Sequence, residues 1–124
     1  MSDTVTHDFL DAFAQAWNRH DASGIASMMT PDAVMQLSFG PTKAGITYTG
    51  HDEIIAGANF VFAQMPDVQW LEPHHVIAGD RGISQWVLVA TGPDGQRIET
   101  NGCDVFTFRG GLIAVKDTYR KNVV

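Results

Sequence analysis

The residues best suited to chemistry lie in the stretch NGCDVFTFRGGLIAVK, in the last quarter of the sequence. If Cys103–Phe108 is a strand, its side chains alternate, which places Asp104 on one face together with Phe106 and Phe108. Ionising a carboxyl group among aromatic rings is costly, because the charge loses its water. We therefore expect the Asp104 carboxyl to be either neutral or paired, and both conditions are common in active sites.

The residues that follow this strand could supply further groups. Gly110-Gly111 predicts a tight turn, after which Leu112–Tyr119 returns as the partner strand of a hairpin. Asp117 and Tyr119 share a face of that strand if it is regular, and would provide a second acid/base group and a hydroxyl donor. Two cations of the returning strand could instead pair with the acid in a purely structural role: Lys116 and Arg120.

Other candidate residues lie earlier in the chain. Gln85 is a polar residue within the apolar segment Ile83–Thr91, and we expect it to point into a cavity with Val87. Trp86 lies on the opposite face of that strand. The indoles of Trp17 and Trp86 are candidates either for the core or interface or for flat platforms under a substrate.

The sequence does not predict a metal or a cofactor. His74 and His75 are adjacent in a predicted strand, so their side chains face opposite ways and do not form a bidentate metal site. The lone Cys103 excludes a disulfide framework, and we expect it to be a buried thiol rather than a nucleophile. The chain contains no phosphate-binding, dinucleotide-binding or zinc-protease motif.

The composition limits the classes of protein that remain. A chain of 124 residues with 44% hydrophobic residues fits one globular domain, residues 1–124. The net charge of −6 argues against nucleic acid as a partner, because binding phosphates requires a cluster of cations. No apolar run approaches the ~20 residues of a membrane span. The opening MSDTVTHDFLDAF has neither a basic leader nor an apolar signal core, which predicts a cytoplasmic location.

Helices are predicted early in the chain and a meander of strands late. Apolar residues at helical spacing predict three helices: Val5–His20, Ala22–Met29 and a helix from His51 to Met65. Strands are predicted over the β-forming segments: Ala33–Phe39, Ile46–Thr49, Val68–Ile77, Ile83–Thr91, Arg97–Phe108 and Leu112–Arg120. Proline is expected to end the second helix at Pro31 and to interrupt a strand at Pro73. This order predicts an α+β domain, with three N-terminal helices packed on one face of an antiparallel sheet.

Short motifs mark the ends of these elements. They are Ala16-Trp17-Asn18, Pro31-Asp32-Ala33-Val34, Gly50-His51-Asp52-Glu53-Ile54, Gly102-Cys103-Asp104-Val105-Phe106 and Arg109-Gly110-Gly111-Leu112-Ile113. In their order and spacing the motifs resemble the NTF2-like superfamily, specifically its ketosteroid isomerase-like and SnoaL-like members. The resemblance implies a cone-shaped fold, in which a curved sheet wraps around the helices and leaves a pocket at the open end. It also implies homodimers formed through the outer sheet face.

The resemblance to ketosteroid isomerases covers only part of their active site. Those enzymes use an aspartate base together with a tyrosine and a protonated aspartate that donate to the oxyanion. Asp104 falls where the protonated aspartate is expected. Leu37 stands at the place of the base, and Phe13 or a neighbour stands at the place of the tyrosine. The resemblance therefore implies a pocket of this kind without the residues of a steroid isomerase.

The register of the last strand is left open by these arguments. Regular alternation gives Asp117 and Tyr119 a face in common with the apolar residues of the strand. The resemblance instead turns Lys116, Thr118 and Arg120 toward the pocket. A shift of one residue moves every side chain to the other face of the sheet, so the two registers predict different sites.

The leading hypothesis is a cofactor-independent enzyme of the isomerase, cyclase or dehydratase type. It would use general acid/base chemistry on a small apolar molecule held in the pocket, with Asp104, Asp117 and Tyr119 as candidate catalytic residues. The predicted substrate contacts are Phe13, Trp17, Leu37, Phe60, Gln85, Val87 and Phe106. One alternative is a non-catalytic module that binds a small ligand or dimerises. Another is a structural dimer whose pocket is filled by phenylalanines: Phe39, Phe60, Phe62, Phe106 and Phe108.

Overall fold

A computed structural model describes residues 4–124 of the chain. Three helices and six strands follow one another across these residues. They are α1 (His7–Asn18), α2 (Ala22–Ser27), β1 (Met29–Gln36), β2 (Thr47–Thr49), α3 (Gly50–Gln64), β3 (Gln69–Ala78), β4 (Arg81–Thr91), β5 (Arg97–Arg109) and β6 (Leu112–Arg120). The first three residues of the opening segment, on which the predicted location partly depends, lie outside the described residues. No helix of the described part is long and apolar enough to cross a membrane.

The two longer helices begin where side chains accept hydrogen bonds from backbone amides. The Thr6 hydroxyl accepts from the Phe9 amide at the start of α1, at 3.1 Å. At the start of α3, the Glu53 carboxylate accepts from the Thr49 amide at 3.0 Å. The predicted apolar face of α1 is buried: Leu10, Phe13, Ala16 and Trp17.

The six strands form one mixed sheet in the order β2-β1-β6-β5-β4-β3. All neighbouring pairs are antiparallel except β1 and β6, which are parallel and place Met35 opposite Lys116. The prediction of an antiparallel sheet is therefore wrong at this pair. The first strand is inserted beside the last one, and no local sequence pattern signals such a long-range pairing. The helices also do not all precede the sheet, because β1 and β2 separate α2 from α3.

Pro31 lies inside β1 instead of ending α2. The helix already ends at Ser27, and the strand begins at Met29. The pairing of β1 with β6 shifts register between Met29 and Val34, so Pro31 falls in an irregular stretch. Its missing N–H therefore interrupts no regular ladder, which explains why a strand tolerates proline here.

The second proline interrupts its strand as the sequence predicts. The register between β3 and β4 shifts between Leu71 and His74, around Pro73. Glu72 adopts a positive φ of 56° in this stretch. The bulge bends β3 and changes which side chains of the strand face the helices.

The two faces of the sheet differ in burial. We call the face that carries Trp86, Asp104 and Lys116 the inner face; these side chains are buried beneath the helices. We call the opposite face, which carries Gln85 and Tyr119, the outer face; both side chains are exposed there. A polar and partly charged set is therefore buried within the core of the protein.

Candidate functional site

The Asp104 carboxyl is at the centre of the buried polar set on β5. Its Oδ1 accepts a hydrogen bond from the Thr118 hydroxyl at 2.6 Å and lies 3.0 Å from the Lys116 ammonium. Its Oδ2 accepts from the Trp86 indole N–H at 3.1 Å. Of the two conditions expected for this acid, the structure has the paired one, and the partner is Lys116.

A bulge explains why Lys116 reaches this position. Thr107 is opposite Val115 while Phe108 is opposite Ile113, so Ala114 is an extra residue in β6. Beyond Ala114 the side chains of β6 alternate again, but the residues that would have faced outward now face inward. Of the two registers left open by the sequence, the structure has the one that turns Lys116, Thr118 and Arg120 inward.

Asp117 and Tyr119 consequently lie on the outer face, across the sheet from Asp104. The Tyr119 hydroxyl donates to the Asp117 carboxylate at 3.0 Å, and this hydrogen bond raises the pKa of Tyr119. Gln85 is on the same face, in one row with Cys103 and Tyr119. The structure brings these residues together in an outer groove of about 710 Å³, and separates them from the Asp104 site.

The prediction that Gln85 and Val87 point together into the substrate pocket is wrong. Val87 is half-buried on the outer face with Gln85, and neither side chain lines the cavities beneath the helices. The pKa of the Cys103 thiol is raised by partial burial and by the nearby charges of Asp104 and Asp117. A thiol with a raised pKa is a poor nucleophile at neutral pH. Cys103 is only partly buried and lines the outer groove, whereas the sequence predicts a buried thiol.

Two cavities lie beneath the helices on the inner face. The smaller has a volume of about 30 Å³, and Asp104, Phe13 and Phe106 are among the residues that line it. The larger has a volume of about 90 Å³, and Leu37 and Phe60 contribute to its wall. Four residues line both cavities and so form the partition between them: Trp17, Trp70, Trp86 and Lys116. Five of the seven predicted substrate contacts therefore surround these cavities: Phe13, Trp17, Leu37, Phe60 and Phe106.

The phenylalanines do not fill the larger cavity. Phe62, Phe106 and Phe108 belong to the buried core, whereas Phe39 and Phe60 are exposed at the edge of the larger cavity. The structure therefore leaves an opening where the third hypothesis expects a plug.

The partition is held by aromatic and cation–π contacts. The rings of Trp17 and Trp70 meet edge to face with centroids 5.3 Å apart. The Lys116 ammonium lies 4.5 Å from the centre of the Trp17 ring. Trp86 lies across Gly102, where an added Cβ would be 2.5 Å from the indole, so only glycine leaves room for it. The buried Trp17 indole N–H has no hydrogen-bond partner among the described residues.

The sequence arguments missed a second polar group on the inner face. His75 Nδ1 is 2.7 Å from the Ser84 hydroxyl, and His75 Nε2 is 2.8 Å from the Asp11 carboxylate. One ring nitrogen can donate to the Asp11 carboxylate, and the other is the hydrogen-bond partner of the Ser84 hydroxyl. The sequence points to His75 only as a candidate metal ligand. Among the described residues, no three His, Cys, Asp or Glu side chains come together as a metal site.

The missed group continues the row of polar residues that contains Asp104. His75 is opposite Ser84, Ser84 is opposite Asp104, and Asp104 is opposite Thr118. The alternation of side chains within a strand predicts the face on which one residue lies, but not its neighbours in the adjacent strands. Placing them in one row requires the register of four strands, which only the structure supplies.

The chain is similar to one sequence family and to many solved structures. The SnoaL-like domain family matches residues 10–116. An NTF2-like protein of unknown function from Burkholderia pseudomallei K96243 is 21% identical, with a TM-score of 0.82, over 98% of this chain and 92% of that one. A hypothetical protein from Catenulispora acidiphila DSM 44928 has a ketosteroid isomerase-like fold and was solved in complex with trimethylamine. It is 19% identical, with a TM-score of 0.80, over 93% of this chain and 86% of that one.

A third solved structure shows the same fold. TerC, co-crystallised with polyporic acid, is 20% identical, with a TM-score of 0.79, over 92% of this chain and 89% of that one. No protein in the curated set matches this sequence. At these identities the structural similarities establish the fold alone. The family match spans most of the chain and shows that this protein belongs to the SnoaL-like domain family, and its fold is that of the NTF2-like and ketosteroid isomerase-like structures.

Proposed function

We propose that this protein is a cofactor-independent enzyme of the cytoplasm that uses general acid/base chemistry on a small, mostly apolar molecule bound beneath the helices. The observation that carries the proposal is the position of the Lys116 ammonium. The ammonium lies in the partition between the two inner cavities. It is fixed there by a hydrogen bond to the Thr118 hydroxyl and by the ion pair with Asp104. A buried cation at the wall of an apolar cavity is suited to stabilising an oxyanion.

The chemistry follows from the arrangement of the pair. A substrate carbonyl oxygen against Lys116 would receive a hydrogen bond that strengthens as the α-proton passes to the Asp104 carboxylate and negative charge develops on the enolate oxygen. Asp104 fixes the ammonium and balances its charge before the substrate binds. The proposal assigns Asp117 and Tyr119 no part in this step, because they face the outer groove.

The size of the site supports a small substrate. The two cavities measure about 30 and 90 Å³. Their walls are mainly aromatic and aliphatic, which favours an apolar molecule. Similar folds bind small molecules in solved structures, in one case trimethylamine and in another polyporic acid.

The proposal is tested by exchange of carbon-bound protons with solvent. A panel of small ketones is incubated with the protein in D₂O, and loss of the α-proton signal is followed by NMR. Asp104→Asn is expected to slow the exchange of any active ketone by about tenfold or more, since an amide cannot take up the α-proton.

Asp117→Asn provides a matched control. The chemical change is the same as in Asp104→Asn. Asp117 lies on the neighbouring strand β6, and its side chain is on the outer face. It should leave the exchange rate unchanged. Equal rates for Asp104→Asn and the unsubstituted protein would contradict the proposal, as would an equal loss in both variants.

A second candidate function is a binding module without catalysis. It is favoured by one observation, namely that both oxygens of the Asp104 carboxyl already accept hydrogen bonds. The ion pair of Asp104 and Lys116 would then be a rigid polar group in the wall of a ligand pocket, and it would take no part in proton transfer. Under this alternative, ligands bind in the inner cavities while no ketone exchanges protons.

We also propose that the protein forms a homodimer through the outer sheet face. Val76 and Ile83 are adjacent there, in one row with Val105, and their side chains are 54% and 39% exposed. An exposed apolar row on a sheet is typical of an interface. We expect sedimentation equilibrium at micromolar concentration to give a dimer.

A charge introduced into the exposed apolar row tests whether the dimer forms through the outer face or through another surface. Ile83→Glu should shift the protein to monomer, because association would bury an unpaired charge. Val123→Glu introduces the same charge at the exposed C-terminal end and should leave the dimer intact. A monomeric unsubstituted protein would refute the proposed interface.

A further inference from the structure

The charges around the larger inner cavity are all of one sign. Lys116 and Arg120 line it, and no aspartate or glutamate does. This is unusual for a chain with 14 acidic and only 8 basic side chains and a net charge of −6. Cations that line a cavity without acidic residues attract ligands of negative charge.

The two cations are not equivalent. The Lys116 ammonium is balanced by the Asp104 carboxylate at 3.0 Å. The Arg120 guanidinium forms no hydrogen bond or ion pair with any residue from 4 to 124 that the structure describes. Arg120 is half-buried, and this burial lowers the pKa of its guanidinium below its ordinary value. An arginine remains charged at neutral pH all the same.

Unpaired donors are therefore concentrated at this cavity. The guanidinium has five N–H groups in a planar fork that matches a carboxylate. The Trp17 indole, which is part of the walls of both inner cavities, also has a buried N–H without an acceptor among the described residues. The Arg120 guanidinium at the cavity wall is therefore free to bind an acceptor that comes from outside the protein.

We infer that the ligand of the larger inner cavity is a small monoanion with an apolar body, a carboxylate being the simplest, whose charged end binds Arg120. The body packs against the tryptophans of the partition and the side chains of Leu37 and Phe60. This inference deepens the proposed function, on which it rests only for placing the ligand beneath the helices. It adds the charge of the ligand and the residue that selects it.

The volume limits the apolar body. A dry apolar cavity of roughly 150 Å³ accommodates a benzene molecule. The larger inner cavity measures about 90 Å³ and opens at its edge beside Phe39. The enclosed part of the ligand is therefore smaller than a benzene ring: a short branched chain, or a ring that lies partly in the open edge.

Calorimetric titration with matched ligand pairs tests the inference. The probes are benzoate and 2-methylpropanoate, each compared with its uncharged amide. We expect at least one carboxylate to bind more tightly than its amide. In Arg120→Met, which keeps the length of the side chain, its affinity should fall by about 10- to 100-fold.

Two further variants complete the design. Arg81→Met removes an exposed cation from the start of β4 and changes the net charge equally, so it should leave binding unchanged. Arg120→Lys keeps the charge and should retain part of the preference for the carboxylate. Circular dichroism and thermal melting verify that each variant is folded.

The outcomes that overturn the inference are distinct from those that overturn the proposed function. The inference fails if no carboxylate binds at millimolar concentration, if amides bind as tightly, or if Arg120→Met and Arg81→Met have equal effects. Carboxylate binding that depends on Arg120, without proton exchange on any ketone, would refute the catalytic proposal and leave the inference standing. Proton exchange that is insensitive to Arg120→Met, with no carboxylate preference, would do the reverse.

Discussion

Replacing Lys116 with methionine is expected to lower the free energy of unfolding by about 3–5 kcal/mol, which is the usual cost of breaking a buried ion pair from one side. The Lys116 and Asp104 residues are only 6% and 7% exposed. Methionine preserves much of the volume but leaves the carboxylate buried without a counter-charge. Thr118 and Trp86 still donate to it, yet neither carries a charge. Urea denaturation at pH 7 measures the loss.

The double variant Lys116→Met/Asp104→Asn separates the lost charge from the lost packing. The asparagine carbonyl can still accept from Thr118 or Trp86, and no charge remains buried, so most of the stability should return. Lys43→Met, which removes an exposed loop cation, should change the free energy of unfolding by less than about 0.5 kcal/mol. A cost below 1 kcal/mol for Lys116→Met alone would show that the pair is not buried as described.

Local alternation was sufficient to predict one face of the site. Asp104, Phe106 and Phe108 were expected on a common face, and all three are buried on the inner face of β5. The prediction succeeds because alternation follows from the geometry of an extended backbone and needs no knowledge of the partner strands. Similarly, the apolar spacing of α1 placed Phe13 and Trp17 in the core.

The partner of Asp104 could not be deduced in this way. Whether Lys116 or Asp117 faces inward depends on the extra residue Ala114, and alanine carries no signal for a bulge. A bulge of this kind follows from how two strands and the neighbouring β1 fit together. The resemblance to ketosteroid isomerase-like proteins predicts the correct register, because proteins that share a fold share such an extra residue whether or not the sequence explains it.

The residues that the sequence arguments missed are distant from one another along the chain. Asp11, His75 and Ser84 belong to α1, β3 and β4, and they meet only because the bulge around Pro73 sets the phase of β3. The sequence points to Arg120 either as a partner for Asp104 or as a residue that faces the pocket. Its isolation becomes visible once Lys116 is found to occupy that position.

Replacing Phe106 with alanine is expected to cost about 3–5 kcal/mol in the free energy of unfolding, although the sequence suggested this residue as a substrate contact. Phe106 is 1% exposed, and its ring packs against Phe13 and Phe108 with centroids 5.9 and 5.8 Å away. Truncation would extend the smaller inner cavity into the core, where these rings are too constrained to close the space. Thermal and urea denaturation measure the effect.

Phe60→Ala is the matched comparison, because Phe60 also lines an inner cavity but is 39% exposed. Its truncation should cost about 1 kcal/mol or less, while weakening the binding of a ligand in the larger cavity. The two variants thus distinguish a cavity wall that belongs to the core, at Phe106, from a cavity wall that is free to contact a ligand, at Phe60. Equal losses of stability in the two variants would mean that Phe60 is as much a part of the core as Phe106, and the larger cavity would then lack the accessible wall that ligand binding requires.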